Sequence, residues 1–156
     1  MGRTERSAGI LLYRRRTVVE VFLVHPGGPF WAKKDAGSWS IPKGLYNESE
    51  NPLEAAKREF REEVGLVIEG EFQPLGHYEQ LSGKIITAWA KEHDIDPSKL
   101  KSNKFQMEWP PKSGKQKSFP EVDRGEWFSF QTAILKITNG QVPILRTLAN
   151  HLNVLV

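Results

Sequence analysis

The stretch GLYNESENPLEAAKREFREEVGL, residues 44–66, constrains this chain more than any other. Its middle is a sharply bounded helix. Asn51 is a good N-cap, because a short side-chain oxygen accepts from the free amides of a first helical turn. Pro52 suits the first helical position, and Glu54 completes a capping-box-like pattern. Gly65 suits the left-handed residue that closes a helix. These signals predict a helix over residues 52–64. At about 100° per residue, Glu62 lies about 60° to one side of Glu59 and Glu63 about 40° to the other. The three carboxylates share one narrow face. Leu53, Ala56, Phe60 and Val64 form an apolar stripe centred about 100° away. One helix thus carries a face for a core and a face with three negative charges.

Three neighbouring carboxylates repel one another and gain nothing unaided. Taken alone, the string REFREE reads as a solvated acidic face balanced by Lys57, Arg58 and Arg61. Its flanks change that reading. Ile41-Pro42-Lys43-Gly44 ends an apolar stretch with a turn signal. A strand, a glycine loop and a carboxylate-bearing helix make a metal and phosphate site. A hard cation such as Mg²⁺ prefers carboxylate oxygens and removes the repulsion.

At this point the chain resembles a known family. Gly44, Glu50, Arg58, Glu59, Phe60, Glu62, Glu63, Gly65 and Leu66 stand where the Nudix box, G-x5-E-x7-R-E-U-x-E-E-x-G-U with U bulky and apolar, requires them. All nine specified positions of the 23-residue box match. The resemblance implies an α+β Nudix fold, an α/β/α sandwich with a mixed β-sheet, spanning residues 1–156 as one domain. It implies hydrolysis of a nucleoside diphosphate linked to another group. It assigns Glu59, Glu62 and Glu63 as metal ligands, for Mg²⁺ or, in its place, Mn²⁺. Glu59 or Glu62 also orients or deprotonates water. Arg58 is structural under this reading: it sits off the metal face and pairs with Glu50. Gly44 and Gly65 are turn requirements. The family commonly adds an acid from outside the box. Glu121 is the first candidate, with Glu108 and Asp123 behind it.

The remaining elements follow from pattern. Residues 7–13 and 18–25 read as a hairpin of strands, and residues 26–38 as a long Gly/Pro loop. Residues 39–42 form a short strand leading into the box. Strands follow around residues 72–77, 85–91, 103–109 and 122–128, with Trp127 and Phe128 packing inward. Residues 110–120 read as a basic loop, and residues 132–137 and 142–152 as helices. This order suits a mixed sheet between helices, without repeats or a second domain.

Composition narrows the function. No cysteine is present, which excludes thiolate zinc sites, disulfides and thiol catalysis. No run of 18 apolar residues suggests a membrane span. The first residues lack the apolar core of an export signal, so the expected compartment is the cytoplasm. Net charge is +3, unevenly placed: residues 99–117 hold six lysines and one acid, Glu108. An acidic metal site facing a basic wall suits a polyanionic small molecule bridged by metal. The lysines lack a recognisable nucleic-acid motif. In the loops on the box side, Trp31 can stack on a base, and Lys33, Lys34 and Lys43 can meet phosphates. Trp39 reads as core. His25, His77, His93 and His151 show no ligand spacing and read as strand-end or surface residues.

The leading expectation is a Mg²⁺-dependent phosphohydrolase acting on a nucleoside triphosphate or a dinucleoside polyphosphate. The Pro42-Lys43-Gly44 segment resembles that of Nudix enzymes acting on diadenosine tetraphosphate or diphosphoinositol polyphosphates. It is also similar to bacterial proteins predicted to be nucleoside triphosphate pyrophosphohydrolases. The alternatives are a nucleotide-binding regulatory domain without catalysis and a pyrophosphohydrolase of RNA 5′ ends.

Overall fold

The computed structural model describes residues 4–156. The described elements are β1 (Arg6–Arg15), β2 (Val19–Pro26), β3 (Lys43–Tyr46), α1 (Pro52–Val64), β4 (Gln73–Glu79), β5 (Ile85–Glu92), β6 (Lys104–Glu108), β7 (Gln116–Pro120), β8 (Val122–Ser129), α2 (Phe130–Lys136) and α3 (Val142–His151). Six strands form one mixed sheet in the order β4-β5-β1-β2-β8, with β3 also paired to β1. β1 runs parallel to β5 and antiparallel to β2 and β3. β6 and β7 make a separate antiparallel hairpin.

Strand alternation divides the core in two. Ala8, Ile10 and Leu12 of β1 turn to one face, against Ala55, Ala56, Phe60 and Val64 of α1. Leu11 turns to the other face, against Phe130 and Ala133 of α2 and Ile144, Leu145 and Leu148 of α3. The result is the α/β/α sandwich expected above. Burial of each large apolar side chain stabilises it by about 1.5–3 kcal/mol. Trp39 is a core residue, 1% exposed.

α1 matches its predicted bounds. Asn51 accepts from the Glu54 amide, and Gly65 closes the helix in the left-handed region with φ 84°. The buried set differs from the predicted stripe: it adds Ala55 and Glu59, and Leu53 is only half-buried.

Four features depart from the sequence reading. Residues 39–42 are not a continuous strand. Trp39 and Ser40 make only isolated bridges, and ladder pairing begins at Lys43. The reason is a split in the sheet. β1 pairs with β2 only near its end, from Tyr13 to Arg15. Where the two strands part, residues 40–42 enter the gap: Ser40 exchanges hydrogen bonds with Val24, and Ile10 donates to the Pro42 carbonyl. The basic loop 110–120 contains β7, whose Phe119 pairs with Phe105 across the hairpin. Trp127 and Phe128 do not share one interior. Adjacent strand residues face oppositely, so Phe128 joins the α2–α3 side and Trp127 the α1 side. α2 also begins at Phe130, ahead of the predicted residue 132, because Ser129 caps it by accepting from Thr132.

Candidate active site

The split in the sheet places the glycine loop against the acidic helix. β3 leaves the gap beside α1, so Gly44 crosses directly over the Glu59 side chain. A Cβ on Gly44 would collide with the Glu59 carboxylate. That close approach leaves Glu59 only 8% exposed although it lies on the acidic face. The next residue back also engages the helix: the Lys43 amide donates to Glu63 Oε1 at 3.3 Å.

Arg58 does more than pair with Glu50. Its Nε donates to Glu50 Oε2 at 3.2 Å and its Nη2 to the Leu45 carbonyl at 3.4 Å. The same guanidinium also reaches the carboxylates, donating to Glu59 Oε1 at 2.8 Å and lying 3.5 Å from Glu62 Oε2. The reading that Arg58 stands off the acidic face is therefore corrected. Its long side chain folds back over its neighbours, which backbone angles alone do not reveal.

Burial governs the electrostatics. It raises the Glu59 carboxyl, with the Glu62 charge adding to the rise and Arg58 opposing it. Burial pushes Glu63 up to about 8, against the pull of the Lys43 amide and ammonium. The same burial lowers Lys43. Glu121, at the foot of β8, is raised by burial and by the charge of Glu62. Glu59 and Glu63 in turn feel Glu121. These four acids form one electrostatic group supplied by two separate segments, α1 and the junction of β7 and β8.

A cleft of about 290 Å³ opens beside the group. Glu63, Glu121 and Lys43 line one part of it, and Ser38, Ser40, Thr138 and Gln141 another, with Trp31 at the rim. Sequence pattern did not single out the second set. Gln141 comes from the link between α2 and α3, is 2% exposed, and accepts from the Ile41 amide at 3.0 Å. Only its position in the fold identifies it.

Other candidates lie elsewhere. Lys33 is not among the cleft-lining residues, and the Lys34 ammonium sits 5.1 Å above the Trp31 ring. Glu108 accepts from the Lys112 amide and closes the turn of the β6–β7 hairpin. Asp123 bonds to His25 and Arg124. Among the described residues, none of the six lysines between 99 and 117 makes an ion pair with a site carboxylate.

The donor set fits a hard divalent cation. It offers carboxylate oxygen only, with a glycine cradle around Glu59 and a neighbouring backbone turn at Lys43. Among the described residues, no three acidic or histidine side chains converge at common ligating distance. Arg58 is bonded between Glu59 and Glu62 in this arrangement.

A family model, the NUDIX domain, matches residues 3–148. The chain belongs to the Nudix family. It is 30% identical over 117 residues to a nucleoside triphosphate pyrophosphatase/Nudix hydrolase fusion protein of Bifidobacterium longum, covering 69% of this chain. The match spans only 23% of that longer protein. Identity is 28% over 107 residues with the asymmetrical bis(5′-nucleosyl)-tetraphosphatase of Rattus norvegicus, covering 58% of this chain and 69% of the relative. Solved structures agree on the Nudix fold. The C. elegans Ap4A hydrolase in a binary complex superposes with a TM-score of 0.62 at 20% identity, covering 94% of this chain and 98% of that one. The Nudix domain of Shewanella oneidensis NrtR, complexed with ADP ribose, gives 0.66 at 12% identity, covering 97% and 90%.

Proposed function

We propose that this Nudix protein is a single-domain, Mg²⁺-dependent phosphohydrolase that cleaves a phosphoanhydride bond in a nucleoside diphosphate-X substrate. Its preferred class is a nucleoside triphosphate or a dinucleoside polyphosphate, and Mn²⁺ substitutes for Mg²⁺. The observation that carries the reading is the group Glu59, Glu62, Glu63 and Glu121, beside a cleft that also holds Lys43. The substrate class is supported by the named activities of the Bifidobacterium and rat relatives.

In this reading Glu59, Glu62, Glu63 and Glu121 hold the cation. When bound, it would neutralise diphosphate oxygens and acidify a coordinated water. Glu59 or Glu62 orients the attacking water and accepts its proton, at a distance set by the rigid helix. Lys43, half-buried beside Glu63, meets a phosphate oxygen. Trp31 stacks on the base at the cleft rim, and Lys33 and Lys34 on the same loop add positive charge that attracts the polyanion. Ser38, Ser40 and Thr138 offer hydroxyls to the nucleoside.

The test is a hydrolysis screen with Mg²⁺ and Mn²⁺. The panel holds nucleoside triphosphates, diadenosine polyphosphates, ADP-ribose, nucleotide sugars and a diphosphoinositol, with products resolved. A substrate cleaved only with the cation, and best among triphosphates or dinucleoside polyphosphates, is the expected result. No turnover by folded protein with either cation contradicts it.

A further inference from the structure

His25 is the best-enclosed titratable residue outside the acidic group, and the proposed chemistry does not use it. Its side chain is 0% exposed at the end of β2. Both ring nitrogens are engaged: Nδ1 lies 2.9 Å from Asp123 Oδ1 and Nε2 lies 2.6 Å from the Lys34 carbonyl oxygen. The ring stands edge-on to Trp39 at 5.2 Å, and Arg124, whose Nη1 lies 3.3 Å from His25 Nδ1, packs over Trp39 at 5.0 Å. A buried ring with partners on two different segments, Asp123 of β8 and Lys34 of the loop after β2, is a fastening between them.

The segments it fastens are the two that flank the cleft. Asp123 belongs to a bulge: His25 pairs with Arg124 and Pro26 with Val122, so Asp123 is the additional residue of β8. Such a bulge re-aims the strand beside it. Glu121 is two residues away, and its carbonyl accepts from the Gly27 amide at 2.9 Å. Gly27 fits there because a Cβ would strike the Pro120 carbonyl. The Lys34 carbonyl is on the opposite arm of the loop, three residues after Trp31. The Lys34 amide in turn donates to the Trp31 carbonyl at 2.9 Å. One imidazole thus ties the foot of the strand carrying Glu121 to the turn carrying Trp31.

We infer that His25 is a positioning residue that holds the Trp31 loop in register with the Glu121 end of the cleft, and so sets affinity for the nucleoside part of the substrate. This rests on the reading of the cleft as the substrate site. His25 touches no reacting group. Its removal therefore raises KM and leaves the chemical step nearly intact.

The experiment pairs a substrate readout with one that needs no substrate. His25→Phe keeps an aromatic ring against Trp39 and loses both polar partners. The expected result is a KM higher by ~10-fold, the scale of releasing a loop that binding must then order, with kcat changed less than ~3-fold. Amide hydrogen exchange should rise across residues 28–36. His25→Gln, which can reach one of the two acceptors, should fall between wild type and His25→Phe in both readouts, and it serves where the Phe variant does not fold. Asp123→Asn keeps an acceptor for the ring and should restrain the loop like wild type. Unchanged KM and unchanged exchange in His25→Phe overturn the proposal, as does a loss confined to kcat. If wild type cleaves no substrate, the enzymatic reading fails, and the exchange measurement alone decides whether His25 holds the loop.

Discussion

The two ends of the cleft are built by different means. At the acidic end, Glu59, Glu62 and Glu63 project from successive turns of α1, whose spacing is fixed by backbone hydrogen bonds. At the other end, Trp31 sits on a loop without regular structure. Side chains from both flanks of the loop and from α2 hold it: His25 on the Lys34 carbonyl, Trp39 Nε1 on Asp35 Oδ1 at 2.8 Å, and Lys136 on Asp35. Phe30 at its tip meets Trp109 of the β6–β7 hairpin edge-on at 5.8 Å. A helix gives the precision that proton transfer and cation binding require. A braced loop can change sequence without disturbing that geometry, and so suits selection of the substrate.

If this division holds, variants at the two ends should separate kinetically. The largest effect is expected for Glu62→Gln, which should lower kcat by at least ~100-fold with the fold intact, as for loss of a ligand or base. Equal turnover in wild type and variant would remove Glu62 from the chemistry. Gly44→Ala should come next. The added methyl displaces the Glu59 carboxylate, and a displacement of that kind costs up to ~100-fold in kcat. Circular dichroism alongside the kinetics separates this from unfolding. Trp31→Ala should raise KM by ~10-fold with kcat nearly unchanged, the scale of one lost aromatic contact. A fall in kcat matching that in kcat/KM would place Trp31 with the chemistry and break the division.

The smallest effect concerns pH. Glu63 is raised from an ordinary 4.5 to about 8 by burial. Between those values the folded chain keeps a proton that the unfolded chain has released. Stability in EDTA should therefore fall as pH rises from about 5 to 8. Lys43, lowered by the same burial, acts in the opposite sense at higher pH. Saturating Mg²⁺ should reverse the trend, since it favours the charged carboxylate. A melting temperature in EDTA that rises over this range would contradict the assignment of Glu63 to a buried site.

Much of the acidic end was legible in the sequence because its signals are local. Asn51, Pro52 and Gly65 mark the helix, and the 3.6-residue period brings Glu59, Glu62 and Glu63 together. The enclosure of Glu59 was not legible, because it depends on Gly44 crossing it from a strand that enters a split in the sheet. The cleft's other lining was hidden for the same reason: Gln141 reaches Ile41 across 100 residues. His25 read as an ordinary strand-end histidine, since nothing near it in sequence announces Asp123. β7 was missed because a lysine-rich, Pro-flanked segment has the composition of a loop. Its pairing with β6 and the Phe105–Phe119 contact override that composition.

The most direct test of the account is Mn²⁺ binding, followed by electron paramagnetic resonance, in wild type, Glu62→Gln and Trp31→Ala. The account predicts that Glu62→Gln weakens binding by ~10-fold or more, the scale of losing one carboxylate ligand, while Trp31→Ala binds as wild type does. Equal affinity in wild type and Glu62→Gln, or a loss in Trp31→Ala as large as that in Glu62→Gln, would contradict the claim that the acidic end provides the chemistry and the loop the selection.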